Sequence, residues 1–237
     1  MGSDGSQINV NDAYDYNGNI KRMQQWGLKL NTSEQIDDLR YTYISGSNRV
    51  KSVVDFYNDA ETKMGDFRTL ASHSQSAAKS ALTPSSTQSS FNSIIDYTYD
   101  VNGNLKTDKN KAIGAITYNY LNLPLVITVT GKGTITYTYD AGGSKLKKTT
   151  VENAVTVNGV STNITTTTTY IGNAVYESKA YSNATVNTAL GYVDKLQFMG
   201  MEEGRIRVRE TDNTFQYDYM LKDHLGNVRM VLTDEEK

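Results

Sequence analysis

The sequence predicts an all-β protein in which antiparallel hairpin repeats form a curved, open sheet, interrupted by one Ser/Ala-rich insertion with room for a short helix. Three observations lead to this fold class. A Tyr-Asp-x-x-Gly unit recurs along the chain, as is typical of repeat architectures. The 17 Tyr far outnumber the 5 Phe and 1 Trp, and tyrosine suits half-buried sheet faces because its ring packs while its hydroxyl stays hydrated. Runs of β-branched residues in the second half favour strands.

The recurring unit has three clear copies and several weaker ones. The key positions are Tyr14, Asp15 and Gly18 in the first copy, Tyr99, Asp100 and Gly103 in the second, and Tyr139, Asp140 and Gly143 in the third. Weaker copies lie near Tyr41, Tyr118 and Tyr217. The Tyr-x-Tyr pattern places two rings on one strand face, Asn-Gly or Gly-Gly supplies positive φ for a tight turn, and Asp accepts N–H groups there. Each unit is therefore predicted to be a hairpin that must stack on its neighbours to bury its face.

Spacing and composition divide the chain into four segments. Residues 1–6 are a polar leader, 7–56 and 95–237 carry the hairpin repeats, and 57–94 form a low-complexity insertion. Asp100 and Asp140 lie 40 residues apart, which fits two units, whereas the 85 residues from Asp15 to Asp100 include a surplus. We interpret the insertion as a flexible surface loop with a short helix near 72–82. The alternative is a lid or a partner-contact element.

The second half continues as strands separated by turn signals. Hairpins are predicted around Gly131-Lys132-Gly133 and around Asn158-Gly159, the strongest short-range hairpin signal in the chain. The run 164–171 contains five consecutive Thr and favours a strand. In the alternating stretch that follows Gly204, the arginines at 205, 207 and 209 share one face. We expect a solvated face with glutamates alongside, and the alternative is a surface for an acidic partner, cargo or phosphate.

Composition argues against several functional classes. The net charge of −2 gives no sign of nucleic-acid binding, and the absence of Cys excludes disulfides and thiolate metal sites. No apolar run is long enough for a membrane span. Asp15 and Asp100 begin patterns like a calcium loop, but neither pattern has its glycine or its final glutamate. We therefore predict no metal site, no cofactor and no catalytic residue.

One further motif lies near the C-terminus, at Asp223-His224-Leu225-Gly226-Asn227-Val228-Arg229. Asp223 and His224 have the chemistry for half of an acid–base pair. The interpretation we prefer is a tight turn, in which the Asp accepts N–H groups and the His packs or bonds to the backbone. Asp223, His224, Gly226 and Arg229 are accordingly predicted to be architectural residues, like those of the repeats.

These motifs resemble those of a known family. The Tyr-Asp-x-x-Gly units are similar to the YD repeats of Rhs proteins, teneurins and toxin-complex components, and residues 223–229 resemble the motif of the Rhs repeat-associated core domain in its Bacteroidetes-type form. Residues 202–206 and the fuller repeat at 96–100 also fit that form, and the resemblance covers about 7–56 and 95–237. It implies a spiralling sheet that closes into a hollow shell around a C-terminal toxin, or an adhesion scaffold in teneurins. Because the chain stops 8 residues after Arg229, before the family's cleavage region, we expect a fragment that forms an open sheet.

The leading functional hypothesis is a structural segment of a secreted bacterial Rhs-type shell that encloses or presents a C-terminal toxin in competition between bacteria. Expected partners are that toxin or another cargo, and a second copy through sheet edges. The alternative is a cell-surface adhesion scaffold or a module that binds carbohydrate or protein. A hydrolase that uses His224 ranks third.

Overall fold

The computed structural model describes residues 13–29, 32–57, 67–209 and 211–234. Strands dominate and pair antiparallel, so the predicted all-β, antiparallel class is confirmed. The chain divides into two compact units, Met1–Ile116 and Thr117–Lys237. The four-segment division and the curvature of the sheet stay predictions.

The first unit combines a small sheet with further hairpins. Its strands are β1 (Arg22–Lys29), β2 (Thr32–Tyr43), β3 (Val50–Asp55), β4 (Tyr97–Tyr99) and β5 (Leu105–Asp108), and β6 (Ile113–Tyr118) crosses the boundary of the unit. Strands β1, β2 and β3 form one antiparallel sheet in that order. Strand β4 pairs with β5, and a 3-10 turn at Lys109–Lys111 leads back to β6.

The described part of the insertion packs into the first unit. It contains α1 (Ser76–Ser80), within the range predicted to hold a helix, and α2 (Gln88–Asn92), which was not predicted. Phe91 and Ile94 are fully buried and form a core with Val54 of β3. The ring of Phe91 meets Phe56 edge to face at 5.9 Å. For residues 67–94 the expectation of a flexible surface loop is therefore wrong. Two apolar side chains within this Ser/Ala-rich sequence are buried and anchor the segment.

The second unit is an antiparallel meander in which each strand pairs with the next. Its strands are β7 (Pro124–Val129), β8 (Gly133–Tyr139), β9 (Lys145–Val157), β10 (Val160–Ile171), β11 (Ala174–Tyr181), β12 (Tyr192–Met201), β13 (Gly204–Val208), β14 (Phe215–Lys222) and β15 (Val228–Thr233). Within the described residues this meander stays open, since β7 and β15 do not pair with each other.

The predicted turns of the second unit are confirmed. Val129 pairs with Gly133 across the first turn and Val157 with Val160 across the second. Asn158 has a positive φ of 49°, as the two-residue turn requires. A helix that was not predicted, α3 (Ala184–Leu190), follows β11 and is capped by Asn183, whose side chain accepts the N–H of Val186. Among the described residues, no helix has the length and apolar character needed to span a membrane.

Candidate functional site

The most regular feature of the molecule is a five-residue loop that we call the Asp turn. In the copy that starts at Asp100, the carboxylate oxygen Oδ1 accepts the N–H groups of Asn102 and Asn104 at 2.9 and 2.8 Å. The N–H of Gly103 bonds to the carbonyl of Asp100, and the N–H of Asp100 bonds to the carbonyl of Asn104. One side chain therefore satisfies two loop donors, while the backbone closes the loop on itself.

Five segments of the described chain share these four hydrogen bonds. The Asp turns are 15–19, 100–104, 119–123, 140–144 and 223–227. Three of them were predicted as clear repeats. The turn at 119–123 begins with Asn119, whose amide oxygen takes the place of the carboxylate. The predicted core motif at 223–229 begins with the same turn, a relationship that we did not predict.

The fourth residue of each Asp turn has a left-handed backbone. Its φ is 81° at Gly18, 89° at Gly103 and Gly143, and 83° at Gly226, and Asn122 takes this role with a φ of 60°. The glycines thus supply the positive φ that was predicted for the turn, and the residue before each of them does not have a positive φ. The strand register shifts by one residue beside the turns that start at 100, 140 and 223. These loops are therefore turns followed by a glycine bulge, not two-residue tight turns.

Hydrogen bonds stabilise the charged form of the turn carboxylates. The backbone N–H of Ser144 is the main cause that holds the pKa of Asp140 below its usual value, and the N–H of Asn227 does the same for the pKa of Asp223. The side chain of Asn19 has the largest effect in lowering the pKa of Asp15. These carboxylates are acceptors that hold loops, and a depressed pKa makes them poor general bases at neutral pH.

Tyrosine hydroxyls connect consecutive repeats. In three Tyr-Thr-Tyr segments, the hydroxyl of the second tyrosine donates to a backbone carbonyl. That carbonyl lies just after the preceding turn, within the same compact unit. Tyr43 donates to Ile20 at 2.7 Å, Tyr99 to Val50 at 2.8 Å and Tyr139 to Pro124 at 3.0 Å. The repeated tyrosine thus has a polar role in joining neighbouring hairpins, in addition to the ring packing that was predicted.

The glycines of two Asp turns also lie against the preceding turn. A Cβ atom at Gly103 would lie 3.2 Å from the guanidinium of Arg49, and one at Gly143 would lie 3.1 Å from Leu123. Arg49 in turn lies over the ring of Tyr99, 5.8 Å from its centroid. Each of these glycines therefore serves both the positive φ of its own turn and the close approach of the turn before it.

In the core motif, Arg229 holds Asp223. Its guanidinium donates to Oδ2 of Asp223 from Nε at 2.8 Å and from Nη2 at 2.7 Å. His224 is exposed and has no hydrogen-bond or ion-pair partner among the described residues. The expected turn-holding role of Asp223 agrees with this geometry, whereas the expectation that His224 packs or bonds to the backbone is wrong.

The arginines of β13 bind a carboxylate of the same sheet. Asp218 on β14 is buried and accepts from Arg205 at 2.7 Å, from Arg207 at 2.6 and 2.8 Å, and from Thr233 at 3.0 Å. The hydrogen bonds from Arg207 and Arg205 hold the pKa of Asp218 far below its usual range. The two arginines, expected on a solvated face with glutamates alongside, bind this aspartate while 38% and 35% of their side chains stay exposed. Asp218, which was predicted to belong to a weaker copy of the repeat, lies within a strand and not in a turn.

Sequence reasoning missed a buried polar cluster in the first unit. Asp96 is fully buried and bonds to Nε2 of His73 at 2.9 Å, to Nζ of Lys79 at 3.0 and 3.2 Å, and to the N–H of Val53 at 2.8 Å. Nζ of Lys79 also donates to Asn110 at 2.9 Å. The cluster joins the insertion to β3 and to the residues that flank β4 and β5.

The geometry of this cluster suits a clamp better than a reaction centre. The N–H of Gln75 donates to Nδ1 of His73, so Nε2 carries the ring proton of the neutral form and donates it to Asp96. Burial, assisted by Lys79, lowers the pKa of His73. Both ring nitrogens are engaged and the His73 side chain is fully buried, which leaves no position for a nucleophile or substrate beside it.

The first unit also has an apolar cavity of about 420 Å³. It is lined by Tyr41, Val50, Val53, Phe67, Tyr97, Tyr99 and Leu105. Three tyrosine rings and few other polar groups make it suited to a flat or apolar group. Across the described residues, no three His, Asp or Glu side chains are grouped in a way that could hold a metal ion.

In comparisons with protein-family models and with curated proteins, no match to the chain is found.

Proposed function

We propose that this chain is a structural repeat module, and that the module is a segment of a secreted Rhs-type shell that encloses or presents a toxin. The observation that carries the proposal is that residues 223–227, in the motif that resembles the Rhs core, form the same Asp turn as the repeats. A wall built by repetition needs one loop that recurs with one geometry, and five copies meet that requirement.

The contacts between neighbouring repeats support a sheet that is extended by adding one repeat after another. Each Asp turn is closed by its own hydrogen bonds, and tyrosine hydroxyls such as that of Tyr139 tie one hairpin to the carbonyl of the preceding one. The first device acts within one turn, and the second acts between neighbouring hairpins even where the insertion separates them in sequence, as between Tyr99 and Val50. Stability in such an array comes from each repeat and its nearest neighbours, which suits a scaffold that must extend over many units.

The same sites give little support to catalysis. His73 is buried with both nitrogens bonded, and His224 is exposed without a partner among the described residues. Hydrolysis by general acid–base catalysis requires a histidine or carboxylate that is both accessible and positioned. We therefore propose a non-catalytic role for the described part of the chain.

A competition assay tests the shell function. A bacterial strain that carries the intact gene is grown against a sensitive neighbour, beside strains with the gene disrupted or with Asp223→Ala or His224→Ala. We expect disruption to abolish killing and Asp223→Ala to reduce it together with the amount of folded protein, because the turn loses its acceptor.

His224→Ala is the matched control and should kill normally. Undiminished killing after disruption would refute the proposal. Loss of killing in His224→Ala at an unchanged melting temperature would favour an enzyme.

The tyrosine-lined cavity favours a second candidate, a binding scaffold at the cell surface. Aromatic rings bind the apolar faces of sugars and of side chains. A glycan array probed with the intact chain and with Tyr97→Ala tests this candidate. It predicts clear hits for the intact chain that the variant loses while it keeps its fold by circular dichroism, and an empty array would count against a glycan ligand.

A further inference from the structure

A lysine, an asparagine and an aspartate meet in the interior of the first unit. Lys79 on α1, Asn110 in the 3-10 turn and Asp96 just before β4 have exposed fractions of 5%, 5% and 0%. Nζ of Lys79 donates to Oδ1 of Asn110 at 2.9 Å and to the two carboxylate oxygens of Asp96 at 3.2 and 3.0 Å. A carboxylate is the usual compensation for a buried ammonium. The contact with a side-chain amide is additional, and it places an amine against a carbonyl group.

The distance between these groups suits a reaction of the amine with the amide. A C=O bond is about 1.2 Å long, so a nitrogen that lies 2.9 Å from Oδ1 of Asn110 is within about 4 Å of Cγ. Reacting atoms in a near-attack geometry are about 3–3.5 Å apart. A rotation of the Asn110 amide about its side-chain bond closes that gap and turns the carbonyl carbon toward Nζ.

Backbone hydrogen bonds hold the turn that carries Asn110 next to Asp96. The N–H of Lys109 bonds to the carbonyl of Asp96 at 2.9 Å. The carboxylate of Asp108 caps the turn and accepts the N–H of Lys111 at 3.2 Å. Groups held together in this way react as if each were present at a very high concentration of the other.

The surroundings supply the protonation states that the reaction needs. Burial lowers the pKa of Lys79 below its usual value, although Asp96 opposes the shift, and a lower pKa favours the neutral, nucleophilic amine. Asp96 contacts Nζ with both oxygens, so it is positioned to take a proton from it.

The far end of the amide also has a partner. Nδ2 of Asn110 lies 3.4 Å from the hydroxyl of Tyr97, and burial raises the pKa of Tyr97 to about 12. This hydroxyl therefore stays protonated at neutral pH. Once the amide nitrogen becomes basic, the hydroxyl can turn its proton toward it and assist its departure.

We propose that Lys79 and Asn110 join in an intramolecular isopeptide bond, with Asp96 as the base. A bond forms between Nζ and Cγ, and the bond between Cγ and Nδ2 breaks. The ammonium of Lys79 loses two protons, the first of them to Asp96, and the departing nitrogen gains two. Ammonium therefore leaves, Asp96 ends as the carboxylate, and no oxidant, reductant or further reactant is needed. The chain acts once on itself and turns over no external substrate, so the exclusion of water from the cluster favours the reaction.

The bond converts the polar clamp into a covalent one. It joins α1 to the 3-10 turn across 31 residues of the chain. A cross-link of this length constrains the unfolded chain, so it should raise the melting temperature of the first unit. This consequence does not depend on the proposed shell function, because it concerns the insertion and the strands that it packs against.

Mass spectrometry of the full, denatured chain tests the proposal. We expect a mass that is lower than that of the sequence by one ammonia, about 17 Da. A tryptic digest should contain a branched peptide in which Lys79 is linked to Asn110, because trypsin does not cleave after a lysine whose amine is acylated.

Variants locate the reacting groups. Lys79→Gln and Asn110→Ala should each have the full mass of their own sequences. Lys111→Gln is the matched control, because Lys111 lies in the same turn as Asn110 but is exposed, and it should still show the loss of ammonia. Asp96→Asn keeps the shape of the side chain without the base and should slow bond formation by about 100-fold or more.

A native chain that keeps the mass of its sequence after prolonged incubation in the folded state would overturn the proposal, and so would the same loss of mass in Lys79→Gln. A folded Asp96→Asn variant that forms the bond at the native rate would overturn the role of the base. If a variant does not fold by circular dichroism, the decision rests on the native chain and its branched peptide, which require no substitution.

Discussion

The hydroxyl of Tyr99 donates a hydrogen bond of 2.8 Å to the carbonyl of Val50, 49 residues earlier in the chain. The insertion lies between these two residues in sequence, yet the bond has the same form as those of Tyr43 and Tyr139, which link units without an insertion. The repeat geometry is therefore kept across the inserted residues. This relationship makes the tyrosine hydroxyl the simplest probe of how hairpins stack.

Tyr99→Phe should lower the free energy of unfolding by about 1 kcal/mol, because it removes one hydroxyl and leaves the ring in place. Urea denaturation monitored by circular dichroism measures the change. Tyr16→Phe is the matched control, since Tyr16 is fully exposed. Equal midpoints for the two variants would show that the hydroxyl bond does not stabilise the stack.

Gly103→Ala should destabilise the chain by about 1 kcal/mol or more, because φ is 89° and alanine disfavours that region. Gly18→Ala is the comparison, since Gly18 has a similar φ but open space where a Cβ would lie. The Gly103 variant should be the more destabilised of the two, because its Cβ also displaces Arg49. Thermal melting of both variants checks the order, and the reverse order would contradict the contact between turns.

The hairpins could be predicted from sequence because their signals are local. Asn158-Gly159 and the Asp-x-x-Gly unit specify turns within four residues, and neighbouring strands follow from them. The error at Asp218 has a local explanation too. The residue three positions after Asp218 is Leu221, whereas the true turn at Asp223 has Gly226 there. The glycine, more than the Tyr-Asp pair, marks the turn.

The buried cluster could not be predicted in the same way. Asp96 meets His73 and Lys79 from 23 and 17 residues away, and no periodic pattern links the three positions. The Ser/Ala-rich surroundings of His73 suggested a solvated loop, so the burial of Phe91 and Ile94 was the missing information. Only the packing of the insertion against β3 brings these polar groups together.

Asp100→Asn should keep the turn and Asp100→Ala should not, because the amide oxygen of Asn119 already fills this role in another copy. At neutral pH we expect the melting temperature to fall by a few degrees in the alanine variant and by less in the asparagine variant. Burial raises the pKa of Asp100, but the bonds from Asn104 outweigh it, and the net pKa is lowered. The carboxylate therefore stabilises the fold above about pH 4, and this contribution is lost as the pH falls through the lowered value. The advantage of the native chain over Asp100→Asn should shrink in acid, and a difference that does not depend on pH would contradict this account.

His73→Gln should remove a pH dependence of stability that lies below pH 6.5. Burial and the nearby Lys79 lower the pKa of His73 from its usual value of 6.5. The unfolded chain therefore takes up a proton near pH 6.5 before the folded chain does, so stability is complete above that pH and declines as the pH falls toward the folded value. The slope for one proton is at most about 1.4 kcal/mol per pH unit. Urea midpoints measured between pH 5 and 8 test this, with His224→Gln as the control, because His224 is the only other histidine and is exposed. If the urea midpoints of His73→Gln and of the native chain change in parallel with pH, the buried His73 does not control the pH response. If only His224→Gln removes the pH dependence, its assignment to His73 is wrong.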